Sequence, residues 1–358
     1  MKGTAKSFPM QQMYYPYSIM GMFTNENNQI DFPFSKELKL KGAILILGYN
    51  RLEFLVNRVD EVNKSNDEKL PLFISIDGGG LSLKQIQKRF VECNLDEFNK
   101  SIEIQPLNLS GVGHYFKVVG EKLNHYDWLM VIEDDVKVFP GLIKDVSKVV
   151  HKLWEEDSPL CVNTFTPLSG SFVQRLFWGQ NRWYRTRYFN AWGHAINRTF
   201  FMKLGAFHLM PNNEAAFLES SEGISMSQRR RRIWSARLSR GTYDFIIQVF
   251  AFTSDLRFVT PKFRMSENVG FGNSYSTHTR LPRSKWLGRE INRQVRIRDE
   301  TLLESKLILK FLEFINRLVL AGDTILTSRG REVGVRTFFK SLMKFVKNQQ
   351  TLNEESHK

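Results

Sequence analysis

Residues 127–140 read Asp127-Trp128-Leu129-Met130-Val131-Ile132-Glu133-Asp134-Asp135-Val136-Lys137-Val138-Phe139-Pro140. The apolar run 128–132 is too short for a helix and rich in strand formers, so it predicts a buried strand. Three adjacent carboxylates, Glu133, Asp134 and Asp135, close it. In an open α/β sheet the C-terminal edge of such a strand is where ligands sit. Like charges side by side repel, and burying them is costly unless a cation or hydrogen-bond donors compensate. A hard divalent ion, Mg²⁺ or Mn²⁺, held by one or two carboxylates and a substrate diphosphate would do so. A solvated acidic turn is the competing reading of the same three residues.

Upstream, Lys41-Gly42 opens a first buried strand, Ala43-Ile44-Leu45-Ile46-Leu47. It ends in the turn Gly48-Tyr49-Asn50-Arg51, after which Leu52, Leu55, Val56 and Val59 follow at helical spacing. A second strand, Leu72–Ile76, stops at Asp77-Gly78-Gly79-Gly80. A helix is predicted over 82–92 and a third strand near 102–105. The loop Asn108-Leu109-Ser110-Gly111-Val112-Gly113-His114 then leads into a helix over about 114–123, and helix N-termini favour phosphate. Strands of buried-parallel type alternating with helices predict a doubly wound α/β sheet, mostly parallel, with helices on both faces. Asp77 stands at a C-terminal strand edge, where an acid can accept from a ribose or base; an Asp-Gly turn is the plainer reading.

Beyond the acidic strand, a helix is expected near 140–153 and a strand over 160–164. Residues 172–194 are dense in aromatics and arginine, including Phe177, Trp178, Trp183, Tyr184 and Trp192, which suits sugar faces, stacked bases or a lipid interface as well as a core. Ala191–Ile196 reads as a short strand or turn, and Phe200 begins a helix. The polar stretch 211–240, ending in Arg229-Arg230-Arg231-Arg232, reads as a mobile loop. Thr242–Phe250 resumes a helical pattern with Asp244 near its start, Leu256–Thr260 is strand-like, and Glu267–Thr279 reads as a loop ending in a polar cluster with His278.

The chain of 358 residues can bury a full-sized core. Two cysteines, Cys93 and Cys161, supply no disulfide framework and fit a reducing compartment. The N-terminal stretch lacks a continuous apolar core and a small-residue cleavage site, so no signal peptide is expected, nor any transmembrane helix. Net charge is +14, and the excess is clustered: six arginines and no acid in 228–240, seven basic residues against Glu290 in 280–298, six against Glu332 in 329–347. Such clusters suit polyanions, whether nucleic acid, an anionic membrane or phosphate-bearing substrates. The tail 302–347 has helical periodicity, with Lys306, Lys310, Glu313 and Arg317 on one stripe and Lys340, Lys344 and Lys347 on another. That pattern fits a helix lying on an anionic membrane surface, or one docked on the rest of the chain.

Five places in order resemble a nucleotide-sugar-dependent glycosyltransferase of the GT-A fold, family-2-like, of the type found in bacterial surface-polysaccharide synthesis. They are Gly48-Tyr49-Asn50-Arg51, Ile76-Asp77-Gly78, Asn108 to Gly113, Ile132-Glu133-Asp134-Asp135-Val136, and Asn268-Val269-Gly270-Phe271-Gly272 with Thr277-His278-Thr279. The resemblance implies an irregular lead-in over 1–40, a catalytic domain over 41–280 and a basic helical extension over 281–358. It implies a donor site of Asp77, Asn50, Arg51, Glu133, Asp134 and Gly113, with Asp77 on the nucleoside and Glu133 and Asp134 on ribose and sugar hydroxyls. By the same resemblance Asp135 and His278 would serve a Mn²⁺ or Mg²⁺ ion on the donor diphosphate. Asp244, after Tyr243 where such enzymes often carry Trp, would be the general base, and Trp192 and Trp183 would meet the acceptor. His194 stands where a second aromatic is commoner. The expected partners are a nucleotide-sugar donor, a saccharide or glycolipid acceptor and an anionic membrane surface met by the C-terminal helices. The expected location is cytoplasmic, peripheral on the inner face of the membrane.

The chemistry asks for these residue types. Charge builds on the departing phosphate, and a cation with nearby donors stabilises it. The acceptor hydroxyl needs a carboxylate to take its proton; Asp244 is the candidate, with Glu219, Glu222 and Asp255 as rivals. A single base acting in line implies inversion. Two other classes remain to be weighed. A sugar-phosphate nucleotidyltransferase would share the sheet and acidic site, but the loop after the first strand holds only Gly48 and Arg51 of the Gly- and Arg-rich sequence that class carries. A basic nucleic-acid-binding protein would explain the charge, but no helix-turn-helix, zinc or RNA-binding signature is present, so nucleic acid is not an expected partner.

Overall fold

In the computed structural model, residues 40–166, 183–226, 241–270 and 302–303 are described, with residues 228, 231, 232, 234, 235 and 238 between them. Four parallel strands make its first half: β1 Gly42–Gly48, β2 Leu72–Ile76, β3 Ile102–Ile104 and β4 Trp128–Glu133, in the spatial order β3-β2-β1-β4. All seven residues of β1 are buried. Strand alternation divides them between two cores. Ile44 and Ile46 join Trp128, Met130 and Ile132 on one face, while Ala43, Leu45 and Leu47 join Leu129 and Val131 on the other. Buried on both sides, such strands read as continuous apolar runs without polar alternation, which is why the sequence marks them so clearly.

Helices cover both faces. On one, α1 (Leu52–Ser65) buries Leu55, Val56, Val59 and Val62 at helical spacing, beside α2 (Leu83–Glu92) and α4 (Leu142–Lys152). Ser82 starts α2 with a capping box to Gln85. On the other face lie α3 (Ser110–Leu123) and the helix Tyr243–Thr253, which is buried at nine of its eleven positions and is a core element rather than an amphipathic surface helix. Helix α3 begins at Ser110, earlier than its sequence suggests, so Gly111 and Gly113 belong to its first turn and not to the preceding loop.

The second half is mixed. Four strands follow in chain order, β5 Val136–Val138, β6 Cys161–Asn163, β7 Trp183–Thr186 and β8 His194–Asn197. Three more complete the set, β9 Phe258–Pro261, β10 Ser266–Asn268 and β11 Leu302–Leu303. Strand β8 runs antiparallel between β4 and β6; β9 is parallel to β6, β7 antiparallel to β9, and β11 parallel to β7. Among the described residues the sheet has nine strands in the order β11-β7-β9-β6-β8-β4-β1-β2-β3. The α/β class expected from the sequence is the one observed: a mostly parallel mixed sheet flanked by helices.

Three local expectations are corrected. The stretch read as a loop from Glu267 begins as strand: β10 pairs antiparallel with β5, and Asn268 stands opposite Val136. The polar stretch 211–240, read as a mobile loop, carries helices Asn213–Glu219 and Ser221–Ser225. Phe217 is fully buried there, and the Trp234 ring packs on Phe217 and on Phe245, so aromatic burial orders a segment whose charge argued against order. The tail expected to be helical from 302 opens as strand at Leu302–Leu303. The proposed lead-in up to residue 39, the segment with Phe177 and Trp178, and His278 with the basic extension apart from 302–303 lie outside the described residues.

Leu45 is fully buried in the strand between β2 and β4. Leu45→Ala therefore removes its packing and leaves a cavity at the sheet centre; a loss of about 2–5 kcal/mol in urea unfolding is expected.

Candidate active site

The C-terminal edges of β1, β2 and β4 point the same way because the strands are parallel. Each is followed by a polar turn, and the turns meet at a cleft of about 350 Å³. Its walls include Tyr49, Asn50 and Arg51 from the first turn, Asp77 from the second, Glu133 and Asp134 from the third, and Asn108, Ser110, Gly111 and His114 from the start of α3. Tyr243 adds a phenol from the opposite helix.

Asp77 is buried and fixed. Its Oδ1 accepts backbone N–H bonds from Gly78 at 2.9 Å and Leu109 at 2.8 Å. Gly78 is required for this approach, since a Cβ there would stand 2.3 Å from the Leu107 carbonyl carbon. Asn108 bridges the same turns, accepting from Ser110 N–H at 2.9 Å and donating to the Tyr49 hydroxyl at 3.2 Å.

Asp134 and Asp135 are both nine-tenths buried or more. One guanidinium spans them: Arg51 Nη2 donates to Asp134 Oδ1, and Nη1 donates to Asp135 Oδ2 at 2.6 Å. Among the described residues the other oxygens, Asp134 Oδ2 and Asp135 Oδ1, are buried without a hydrogen-bond partner. Val269 N–H donates to the Asp135 carbonyl at 2.8 Å, and a Cβ on Gly270 would lie 2.3 Å from Asp135 Oδ2, so the turn after β10 closes over this residue. Beneath the pair, fully buried Arg58 donates to Glu61, which accepts from Val138 N–H at 3.0 Å and ties α1 to β5.

Burial and the neighbouring carboxylates raise two of the acids, Asp134 and Glu133. Asp134 is pushed up to about 6, burial outweighing the opposing pull of Arg51. Glu133 is pushed up to about 8 by burial and by the Asp135 charge, with the Tyr243 hydroxyl acting the other way. Burial works against the charge of Arg51, yet its two carboxylates more than offset it and hold the guanidinium above its ordinary value.

The Glu133 side holds an unforeseen aromatic stack. Tyr243 donates to Glu133 Oε1 at 2.8 Å, and its ring lies flat on Tyr115 with centroids 4.1 Å apart. The Tyr115 hydroxyl meets His194 Nε2 at 2.9 Å. Burial lowers His194 to about 3, so it is neutral and supports the stack from β8. Tyr243 supplies the hydroxyl from which Glu133 accepts. His114 is also held, its Nε2 at 2.8 Å from Ser75 Oγ. Tyr115 and His114 were not singled out from sequence: each falls within the helical pattern of α3, and nothing in that pattern marks one buried polar ring from another.

The remaining expected residues are placed as follows. Gly113 lies in the first turn of α3. Asp244 is exposed, next to Tyr243, and close enough to add its charge to that acting on Glu133. Of its rivals, Glu219 is exposed, Glu222 is buried against Arg187 at 3.9 Å, and Asp255 pairs with the same Arg187; neither Asp244 nor any of these three lines the cleft. Trp183 is packed in the core of β7 at 4% exposure. Trp192 is half-buried, its ring edge-on to Phe165 at 4.4 Å.

A divalent ion fits the chemistry of this donor set. Among the described residues no three His, Cys, Asp or Glu side chains gather as a metal-binding group. Two hard carboxylates, each with a buried and unsatisfied oxygen, nevertheless match a cation that takes one or two protein carboxylates and completes its shell with phosphate and water.

No protein-family model and no curated protein sequence matches the chain. Among solved structures it is similar to the mannosyltransferase PcManGT from Pyrobaculum calidifontis in complex with GDP-Man and Mn²⁺, at TM-score 0.35 and 12% identity over 60% of this chain and 70% of that one. It is similar to GalNAc-T7 with UDP, GalNAc and Mn²⁺, at 0.39 and 12% over 63% and 43%. It is also similar to a cytidylyltransferase from Leptospira borgpetersenii, at 0.27 and 11% over 50% and 70%. These likenesses concern the course of the chain and assign no residue.

Glu133 gives the site a pH signature. Its folded value, about 8, lies above the ordinary 4.5, so the folded chain keeps a proton that the unfolded chain has lost. The stabilisation is complete below the unfolded value and declines as pH rises toward the folded one. Without divalent ions, the melting temperature should fall between pH 5 and 8 more steeply in the native chain than in Glu133→Gln, as thermal unfolding across that range will read.

Proposed function

We propose that the chain is an inverting, family-2-like glycosyltransferase that moves a sugar from a nucleoside-diphosphate sugar to an acceptor hydroxyl, in polysaccharide or glycolipid synthesis. The observation that carries this reading is the convergence of Asp77, Arg51 and Asp134 on one cleft at the C-terminal edge of three parallel strands, with Asp135 held behind it by the same Arg51 guanidinium. Asp77, with one oxygen committed to backbone N–H groups, offers the other to the ribose or base. Asn50, Arg51 and the N–H groups of the first turn of α3, Gly113 included, face the diphosphate. Glu133, oriented by the Tyr243 hydroxyl, and Asp134 hold sugar hydroxyls. Asp134 and Asp135 are the residues that would hold Mn²⁺ or Mg²⁺, which when bound supplies positive charge beside the leaving phosphate; His278 is the further ligand the sequence offers.

Asp244 accepts the proton as the acceptor oxygen bonds to the anomeric carbon. The bond from that carbon to the diphosphate oxygen breaks, and its electron pair leaves on the nucleoside diphosphate. Asp244 is exposed at the first turn of its helix, which leaves it open to an incoming hydroxyl. Trp192 is the proposed acceptor-side aromatic. The basic stretches 280–298 and 329–347 are proposed to meet an anionic, cytoplasmic membrane face that carries a lipid-linked acceptor. No helix among the described residues is long and apolar enough to cross a membrane.

Purified chain with Mn²⁺ and a panel of UDP-, GDP- and CDP-sugars should release the nucleoside diphosphate; release of inorganic diphosphate from a nucleoside triphosphate and a sugar phosphate would replace this reading with nucleotidyl transfer. Asp135→Ala should abolish metal-dependent transfer with the fold retained by circular dichroism, and near-normal activity would end its role as ligand. Asp244→Asn should lower turnover by about 10²–10⁴-fold with donor affinity little changed; a collapse of donor affinity instead would make Asp244 a binding residue.

A further inference from the structure

A cation already occupies the carboxylate pair. Arg51 places both arms of its guanidinium on Asp134 and Asp135, residues that follow it in the chain by more than eighty positions. The two acids are buried, while the Arg51 side chain is 20% exposed. Arg51 and Asp134 line the cleft and Asp135 does not, so an ion arriving from the cleft meets the guanidinium before it meets Asp135.

Two positive groups serve the pair, and they differ in freedom. Arg58 lies within α1, fully buried and committed to Glu61, which also holds the Val138 N–H. Arg51 stands at the N-cap of α1, ahead of the helix proper, its guanidinium on the two aspartates and 5.9 Å from the centre of the Phe54 ring. A guanidinium fork fits paired phosphate oxygens as well as paired carboxylates, because both present two anionic acceptors in one plane. Moving Arg51 from the aspartates to a diphosphate therefore keeps its charge compensated, and it opens two carboxylates that already hold one unsatisfied oxygen each.

We infer that Arg51 is a resident counter-ion that excludes divalent cations from Asp134 and Asp135 until a diphosphate draws it away. Cation and diphosphate then bind with positive coupling, and by reciprocity each strengthens the other. The inference rests on the proposed reading of the aspartate pair as a cation site, but it concerns competition within the free protein and requires no sugar transfer.

Its test uses Mn²⁺ alone with the full chain, read by calorimetry and by the electron paramagnetic resonance signal of free Mn²⁺. Arg51→Met should bind Mn²⁺ at least tenfold more tightly than the native chain, Arg51→Lys should fall between them, and adding Asp135→Asn to Arg51→Met should remove the gain. Equal or weaker Mn²⁺ binding by Arg51→Met would overturn the inference. Should loss of the guanidinium destabilise the fold, thermal unfolding supplies the second readout: Mn²⁺ should raise the melting temperature of Arg51→Met more than that of the native chain, and an equal shift in both would overturn the inference as well. Absence of sugar transfer with Mn²⁺ binding as described would sink the proposed function and leave this competition standing.

Discussion

Two buried, adjacent aspartates need positive charge beside them, and that requirement organises the cleft. Each taken alone would carry a large desolvation cost. The chain meets it with Arg51 from the turn after β1, backed by Arg58 from the helix that follows. The first crossover unit thus contributes both a strand to the sheet centre and the cations for the acids at the end of β4. Because β1 and β4 are parallel neighbours in register from Gly42 with Trp128 to Leu47 with Glu133, Arg51 and Asp135 are brought to the same edge. A shift of one residue in that register would turn the side chains of either strand to the opposite core.

The other wall is built by packing instead of charge. Tyr243, Tyr115 and His194 form a buried stack whose one polar output into the cleft is the hydroxyl on Glu133. Three elements that meet only through the tertiary fold contribute one ring each. Such a stack gives Glu133 a fixed orientation, while burial and the carboxylates beside it favour its protonated form. One side of the site is thus the Arg51 guanidinium on its two aspartates, and the other is Glu133 hydrogen-bonded to the Tyr243 hydroxyl.

Much of the first half of the fold is legible because its physics is local. Strands buried on both faces must be apolar throughout, and the turns that end them must be polar, so Gly48–Arg51, Asp77–Gly80 and Glu133–Asp135 mark themselves. The second half is less so. The reversal of β8 between β4 and β6 and the pairing of β10 with β5 depend on partners distant in sequence, and three- or four-residue strands carry too little pattern to declare them. The 211–240 stretch misleads for the same reason: its charges are visible in the sequence, whereas the burial of Phe217 against Trp234 is decided elsewhere.

What the sequence determined by itself is the α/β class, the order of the parallel strands' elements and the polar residues at their ends, since periodicity and turn chemistry are properties of neighbouring residues. Only the tertiary structure decided that Arg51 clamps the two aspartates, that Gly270 closes over Asp135, and that Tyr243 reaches Glu133. Those are contacts between residues separated by more than eighty positions, fixed by strand register and helix packing, and no local pattern encodes them.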